Sequence, residues 1–263
     1  MTQILLNDAQ RGLVNALAVA WRDGTVVEPE PLALPGDLDT AEAMQRALAE
    51  TLDFGCGAHK LGATVEAVRL RLGLPRTFYG TVALARALPS PATIPASAAR
   101  FRVVESEPAF RFARGIPAGS DVTADDVAAA IGAILPAIEL PESRFVAIGG
   151  HGPFALVADG GAAGWAILGP ETPFDGPGAW DGAEVALKID GKTVANGHTG
   201  DIDGGPFAAV VSHCQNLCAR GIAIPAGLAV LPGSCTGAVT VPVGSEAVAD
   251  FGRFGEVRVR FTP

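Results

Sequence analysis

The chain has 263 residues, of which 49% are hydrophobic and 18% charged, enough for one large domain or one domain with a helical appendage. Its formal net charge is -9, and no cluster of basic and aromatic residues offsets it, so we expect no nucleic-acid partner. No apolar run approaches the roughly 20 residues that a membrane span needs, so we expect no membrane partner either.

The first ten residues lack the basic leader and apolar segment of a secretory signal. Four cysteines, Cys56, Cys214, Cys218 and Cys235, are then expected to be reduced in a cytoplasmic protein. Cys214 and Cys218 follow His213 on one predicted helix, but no second ligand pair has zinc-site spacing. Small core residues are the favoured interpretation of these cysteines.

The first seventy residues or so predict three helices that precede the sheets. In the first helix, Leu13, Leu17 and Trp21 share one face. The second helix is predicted to begin at Asp39, with Glu42 three residues later as a capping box. Both helices are expected to bury one apolar side.

The third predicted helix is short. Thr64 is its expected N-cap, and Gly73 is the expected stop. Val65, Val68 and Leu72 are expected to face inward from it.

From about residue 99 the apolar pattern changes to alternation, which predicts strands. The predicted strands cover 101–107, 155–158 and 164–168, with a short strand-like step at 138–140 and a strand at 228–231. Two helices are expected among them, at 123–135 and at 206–220. The first is capped by Thr123 with Asp126 and ended by Pro136, and the second is closed by Gly221.

Asp190 and Gly191 form a two-residue hairpin signal between 185–189 and 192–194. Val257, Val259 and Phe261 alternate with charged residues in a last predicted strand. The predicted class is therefore α+β, with a mostly antiparallel or mixed sheet.

Three glutamates are candidate metal ligands. Glu105 and Glu107 lie two apart on a predicted strand, so their side chains project from the same face. Glu139 lies between two apolar residues and is expected to project away from them. Three carboxylates with several waters suit a hard cation such as Mg²⁺ or Mn²⁺. Solvated surface glutamates would give the same spacing, and the residues alone leave both interpretations open.

Lys60 is predicted to lie in a glycine-rich loop before a helix N-terminus, where backbone N–H groups can receive a carboxylate or an enolate. A nearby dication would disfavour its ammonium form and favour proton transfer. A solvated loop lysine is the alternative.

Gly233–Gly237 is predicted to be either a ligand-binding loop or a simple turn. In the first interpretation, the hydroxyls of Ser234 and Thr236 touch a ligand. A nucleophile elbow does not fit, because the last histidine, His213, precedes this segment.

Taken in order, these segments resemble the 2-keto-4-pentenoate hydratase branch of the fumarylacetoacetate hydrolase superfamily. The matching segments are Lys60-Leu61-Gly62-Ala63-Thr64, Glu105-Ser106-Glu107, Ile138-Glu139, Ala158-Asp159 with Gly164, Gly233-Ser234-Cys235-Thr236-Gly237, and Ala249-Asp250-Phe251-Gly252 continuing to Phe261. The chain departs from the pattern at Ala58-His59, at Val65 and at 159–163.

The resemblance implies an N-terminal helical segment followed by a mixed β-sheet sandwich or roll. It places an N-terminal α+β segment with Lys60 at 1–90 and a β-rich catalytic domain at 91–263. It also implies that Glu105, Glu107 and Glu139 bind Mg²⁺ or Mn²⁺, with Lys60 as the acid/base. Substrate contacts are expected from Leu61, Gly62, Asp159, Ser234 and Thr236.

The implied activity is addition of water to a 2-hydroxy-2,4-dienoate, giving a 4-hydroxy-2-oxo acid in aromatic-compound catabolism. A small 2-keto acid is thus the expected partner, and a homo-oligomer, with possible association with a related pathway enzyme, is the expected state. Three alternatives stay open: a decarboxylase of a 2-oxo-3-enedioate, an acylpyruvate hydrolase and a non-catalytic partner subunit. The hydrolase would need a histidine–glutamate pair, with His59 and His151 as the candidates.

Overall fold

A computed structural model of the chain describes residues 4–263, without the side chain of Leu32. Residues 1–3, part of the segment predicted to carry no secretory signal, lie outside it. The helices are α1 (Asp8–Asp23), α2 (Leu38–Leu52), α3 (Glu66–Leu72), α4 (Ala124–Ala130), α5 (Pro153–Ala158) and α6 (Pro206–Ala219). Within residues 4–263, no helix has both the length and the apolar character that crossing a bilayer requires.

The strands form two sheets. They are β1 (Ala58–Gly62), β2 (Phe78–Val82), β3 (Ala87–Pro89), β4 (Ala92–Pro95), β5 (Val103–Phe112), β6 (Ile131–Pro141), β7 (Ala163–Leu168), β8 (Thr172–Pro173), β9 (Glu184–Ile189), β10 (Lys192–His198), β11 (Ala229–Leu231), β12 (Val239–Thr240), β13 (Glu246–Asp250) and β14 (Glu256–Thr262). The larger sheet has the order β2-β1-β11-β5-β6-β7-β3, with β12 beside β5 and β8 beside β6. The smaller has the order β10-β9-β13-β14-β4. Both are mixed, because β1–β11, β3–β7 and β4–β14 are parallel pairs.

The larger sheet curves into a roll, so that β2 lies close to β7. A Cβ added to Gly80 on β2 would lie 2.8 Å from the Cβ of Ala163 and 2.5 Å from the carbonyl oxygen of Gly160. Only a residue without a side chain permits this approach. We call the line of contact between β2 and the 160–163 segment the seam.

The two faces of the rolled sheet bury different residues. The concave face carries a cluster of mostly small side chains, namely Ala58, Val82, Ala109, Leu135, Ala137, Ala163, Ala166, Leu168, Ala229 and Leu231. The opposite face carries larger residues such as Phe110 and Ile138, which are fully buried. They join Leu187, Val259 and Phe261 of the smaller sheet in one core, which α6 also contacts. Each large side chain buried there contributes roughly 1.5–3 kcal/mol of transfer free energy.

The N-terminal helices pack beside the roll. Leu17 and Met44 are fully buried in a separate cluster together with Phe145. Gln45 on α2 fastens this unit to the sheet, because its Nε2 donates to the carbonyl of Tyr79 at 2.7 Å. The parts of the chain before and after residue 90 share the larger sheet, and the predicted domain boundary stays a prediction.

Several predicted elements are confirmed. The first helix has its apolar face inward, the Thr123–Asp126 capping box is present, and Gly73 ends α3 in a left-handed conformation. Helix α6, the hairpin at Asp190 and the last strand also lie where the sequence placed them.

Other predictions at the N-terminal end are wrong. Helix α2 is capped by Asp37, whose carboxylate accepts from the amide of Thr40 at 2.8 Å, and Asp39 lies inside the first turn. Glu42, predicted to complete that cap, is instead fully buried between Arg76 and Arg220. A buried carboxylate needs such cationic partners, and their side chains come from distant parts of the chain.

The region around Lys60 also differs from the prediction. Strand β1 lies between α2 and α3, so Lys60 is on a strand and three helices do not precede the sheets. The residue that caps α3 is Val65, without a side-chain bond, and Thr64 lies one residue earlier. No residue of α3 is buried, and Leu72 is 38% exposed. The prediction that one face of this helix points inward is therefore wrong.

Two segments have the opposite structure to the one predicted. Helix α4 ends at Ala130, and residues 131–141 form one long strand that includes Pro136. Residues 155–158 are helical, within α5.

Gly80→Ala should lower the free energy of unfolding by about 1–3 kcal/mol, because the new methyl group overlaps the seam. Urea denaturation followed by circular dichroism measures the change. Gly12→Ala is the matched control: Gly12 is within α1 with no atom near its missing Cβ, and the substitution should stabilise by about 0.5–1 kcal/mol. Equal effects of the two substitutions would rule out close contact at the seam.

Candidate metal centre

Antiparallel pairing of β5 and β6 brings the three glutamates together. Glu105 lies directly opposite Glu139, and Glu107 lies opposite Ala137. Because alternate residues share a face, all three carboxylates project from the concave face of the roll. Each offers an oxygen within 4.8 Å of the others. Glu107 and Glu139 are almost completely buried, whereas Glu105 is half-buried.

The loop Gly233–Gly237 lies along β5 beside these carboxylates. The backbone N–H of Gly233 donates to Glu107 Oε2 at 2.7 Å. The N–H of Cys235 donates to the carbonyl of Ser106 at 2.8 Å, and the N–H of Ser106 donates to Thr236 Oγ1 at 3.2 Å. The loop is therefore fixed on the strand that carries two of the glutamates.

Lys60 reaches the same place from β1. Its ammonium nitrogen lies 3.8 Å from Glu139 Oε1 and 5.9 Å from the centre of the Phe78 ring, and its side chain is 8% exposed. The nitrogen is close enough for an ion pair but too far for a hydrogen bond. Both carboxylate oxygens of Glu139 are buried without a hydrogen-bond donor among the described residues.

The electrostatics of the cluster are unfavourable without a cation. Burial, and then the charge of Glu105, raise the pKa of Glu107 to about 8, and these effects outweigh Lys60 and the Gly233 amide. Burial also raises the pKa of Glu139 well above its usual value, against the opposing charge of Lys60. Three carboxylates, one with no donor, fit a hard divalent cation.

Leu61 and Gly62 have packing roles in β1. The Leu61 side chain is 3% exposed and lies in the core on the opposite face from Lys60. A Cβ on Gly62 would lie 2.1 Å from the Phe78 ring, the same ring that Lys60 approaches. Nothing in the sequence distinguishes Phe78 as part of the site, since it reads as an ordinary strand aromatic. Substrate contacts from Leu61 and Gly62 stay predictions.

Of the remaining predicted contacts, Ser234 and Thr236 are beside the cluster and Asp159 is elsewhere. Ser234 Oγ is buried with no partner in the described residues, so it can still bond to a ligand. Asp159 accepts from Trp21 Nε1 at 3.0 Å and from both Ser143 Oγ and the Arg144 amide at 2.6 Å. Both of its oxygens are thus engaged, Oδ1 by α1 and Oδ2 by the 143–144 segment, and the structure gives its predicted substrate contact no support.

Neither histidine considered for a hydrolase belongs to the carboxylate cluster. His59 faces away from it, with its Nδ1 3.0 Å from His213 Nε2. His151 Nε2 lies 3.8 Å from Glu28 Oε2, a pairing that the sequence did not predict. Glu28 is 69% exposed there, and sequence spacing gives no signal for a contact across that distance.

Several solved structures share this fold. The chain has the fold of the fumarylacetoacetate hydrolase superfamily, which confirms the predicted α+β roll. The structure of fumarylpyruvate hydrolase from Pseudomonas aeruginosa, in complex with Mn²⁺ and pyruvate, matches 78% of this chain and 88% of its own, with a TM-score of 0.59 and 15% identity.

One kind of enzyme matches over more of the chain. The structure of 4-oxalocrotonate decarboxylase from Pseudomonas putida G7, complexed with magnesium and adipate, covers 99% of this chain and 100% of its own, with a TM-score of 0.84 and 22% identity. A 4-oxalocrotonate decarboxylase of Pseudomonas putida is also 25% identical over 202 residues, 77% of this chain and 76% of the relative. No family model matches the chain.

The raised pKa of Glu107 predicts how the metal-free protein responds to pH. A carboxyl whose pKa rises on folding stabilises the fold below its unfolded pKa, near 4.5, and this contribution is lost as the pH rises through about 8. In EDTA, the free energy of unfolding should therefore fall between pH 5 and pH 8.5.

Glu107→Gln should flatten that decline, whereas Glu184→Gln, at an exposed position of β9, should leave it unchanged. Urea denaturation at each pH measures the slopes. Parallel curves for the wild type and Glu107→Gln would contradict the assigned burial of the charge.

Proposed function

We propose that the chain is a metal-dependent enzyme of the fumarylacetoacetate hydrolase superfamily that decarboxylates a 2-oxo-3-enedioate of the 4-oxalocrotonate type. The convergence of Glu105, Glu107 and Glu139 carries the proposal of a metal site, with Mg²⁺ or Mn²⁺ as the cation. When bound, the cation supplies Lewis-acid polarisation of the 2-oxo group.

The choice of reaction rests on the full-length likeness to 4-oxalocrotonate decarboxylase. In this reaction the carbon–carbon bond to the distal carboxylate breaks and carbon dioxide leaves. The electron pair spreads over the conjugated carbons toward the 2-oxygen, and uptake of one proton gives a 2-hydroxy-2,4-dienoate.

The protein's own groups support this chemistry in three ways. Lys60 Nζ lies 3.8 Å from Glu139, which supports its assignment as the group that holds or delivers the proton. Ser234 Oγ has no hydrogen-bond partner among the described residues and is proposed to orient the substrate. The apolar concave face limits the access of water to the dienolate that remains after carbon dioxide leaves and before the proton is taken up.

Hydration of a 2-hydroxy-2,4-dienoate is the second candidate. The ordered motifs from Lys60 to Gly252 favour it, because they resemble the hydratase branch. It needs the same metal and the same proton carrier, with water added at the far end of the conjugated system. The homo-oligomeric state and association with a related pathway enzyme also remain predictions.

The deciding experiment supplies 2-oxohex-3-enedioate and 2-hydroxypenta-2,4-dienoate separately, with Mg²⁺ or with EDTA. Metal-dependent release of carbon dioxide from the first substrate supports the decarboxylase. Formation of 4-hydroxy-2-oxopentanoate from the second, without carbon dioxide release from the first, transfers the assignment to the hydratase. If neither substrate is consumed, both the decarboxylase and the hydratase assignments are wrong. The acylpyruvate hydrolase and the non-catalytic partner subunit then remain.

Glu139→Gln should weaken Mn²⁺ binding by about 100-fold or more, because it removes one of the three proposed anionic ligands. Electron paramagnetic resonance of free Mn²⁺ measures the affinity without requiring any activity. Glu184→Gln is the matched surface control and should bind Mn²⁺ like the wild type. Wild-type affinity in Glu139→Gln is incompatible with the proposed ligand set.

Lys60→Ala should lower turnover by about 100-fold or more with Mn²⁺ affinity undiminished, because loss of a proton carrier affects the chemical step. Lys192→Ala, at an exposed end of β10, is the control and should keep full turnover. Unchanged turnover in Lys60→Ala would remove this lysine from the mechanism. A parallel loss of metal binding would show that it organises the cluster instead.

A further inference from the structure

A cavity lies away from the carboxylate cluster, between the N-terminal helices and the seam. Its volume is about 250 Å³. Trp21, Leu48 and Leu52 line it from α1 and α2, while Thr81 and Gly164 line it from β2 and β7. None of Lys60, Glu105, Glu107 and Glu139 contributes to its wall.

Arg86 at the wall of this cavity is a cation without an anion. It forms no ion pair within residues 4–263, and its Nη1 is buried without a hydrogen-bond acceptor there. Burial, and then the like charge of Arg144, lower the pKa of Arg86. Glu142 cannot serve as its partner, because Glu142 Oε1 is 2.7 Å from Arg144 Nη2.

Two tryptophans hold the Arg86 guanidinium in place. Its central carbon lies 4.9 Å from the ring centre of Trp21 and 4.9 Å from that of Trp165. Such cation–π contacts restrain the guanidinium between the two rings and still leave its N–H groups able to bind an acceptor. Trp165 Nε1 is itself a buried donor with no acceptor in the described residues.

An acceptor is also present at the cavity. Gln45 is 3% exposed, its Nε2 is engaged by the carbonyls of Tyr79 and Val157, and its Oε1 has no donor among residues 4–263. Burying an unpaired polar group is unfavourable, and more so when the group is charged. The cavity thus presents an unpaired cation and an unpaired acceptor between apolar walls.

We infer that this cavity binds a small, mostly apolar carboxylate, with the carboxylate on Arg86 and the apolar body against Leu48 and Leu52. A guanidinium fork matches a carboxylate in two parallel hydrogen bonds. A cavity of about 150 Å³ lined by apolar side chains accommodates benzene, so the larger volume here has room for a ring with a carboxylate. A hydroxyl on the ligand could donate to Gln45 Oε1. This site is separate from the one in the proposed function and does not depend on it.

Benzoate is the probe. Benzyl alcohol, which has the ring but no carboxylate, and acetate, which has the carboxylate but no ring, are the comparison ligands. Calorimetry on the Mg²⁺-loaded protein should give benzoate an affinity at least about tenfold above either comparison ligand. The affinity should be the same in EDTA. Loss of binding on chelation would place benzoate at the carboxylate cluster. Equal affinities for the three ligands would show that the site does not require both a carboxylate and an apolar ring. Either outcome overturns the inference.

Two variants test the site itself. Arg86→Gln should weaken benzoate at least about tenfold, and Arg253→Gln, at an exposed arginine stacked on Phe254, should have no effect. If Arg86→Gln does not fold, Ala49→Leu fills the cavity from α2 and should abolish benzoate binding while Mn²⁺ affinity is kept. Wild-type benzoate affinity in either folded variant refutes the inference.

Discussion

Repulsion among three carboxylates on one face of a sheet is the constraint on which the rest of the structure depends. Glu105 and Glu139 face each other across β5 and β6, where like charges normally destabilise a pair. The protein brings one lysine and one backbone amide to them, from β1 and from the loop after β11. Neither suffices to keep the pKa of Glu107 in its ordinary range. A cation bound at the proposed centre would therefore add its binding free energy to the stability of the fold.

The small residues of the concave face follow from the same constraint. Lys60 can reach Glu139 only if β1 and β6 curve toward one another, and a tightly curved sheet has little room inside. Alanines fill most of that room, whereas phenylalanine, isoleucine and leucine fill the opposite face against the second sheet. The second sheet and α6 thus supply most of the hydrophobic burial, and the concave face is left for polar chemistry.

Sequence patterns predicted the parts of the site that depend on local geometry. Glu105 and Glu107 had to share a face because strand side chains alternate. Their pairing with Glu139 depends on the register of β5 and β6, and the alternation of side chains does not determine that register. The grouping of the three glutamates was predicted from the resemblance to a family.

The wrong predictions have a common cause. Residues 124–135 are rich in alanine and predict one helix, but pairing with β5 makes the second half a strand. Strand β1 is short and glycine-flanked, and it is recognisable only through its distant partners β2 and β11. The short apolar run at 155–158 fits a strand or a buried helix equally well.

The parallel pairing of β1 with β11 has a consequence for how the chain reaches its native state. Ala58 pairs with Ala229, so the strand that carries Lys60 acquires this neighbour only after nearly all of the chain has been synthesised. Pairings of such high sequence separation slow folding, because the chain loses the entropy of closing a long loop before the stabilising contacts have formed. During translation β1 has a free edge on the side of β11, and such an edge is open to mispairing with another chain. The part of the roll that carries Lys60 is therefore expected to form late in folding.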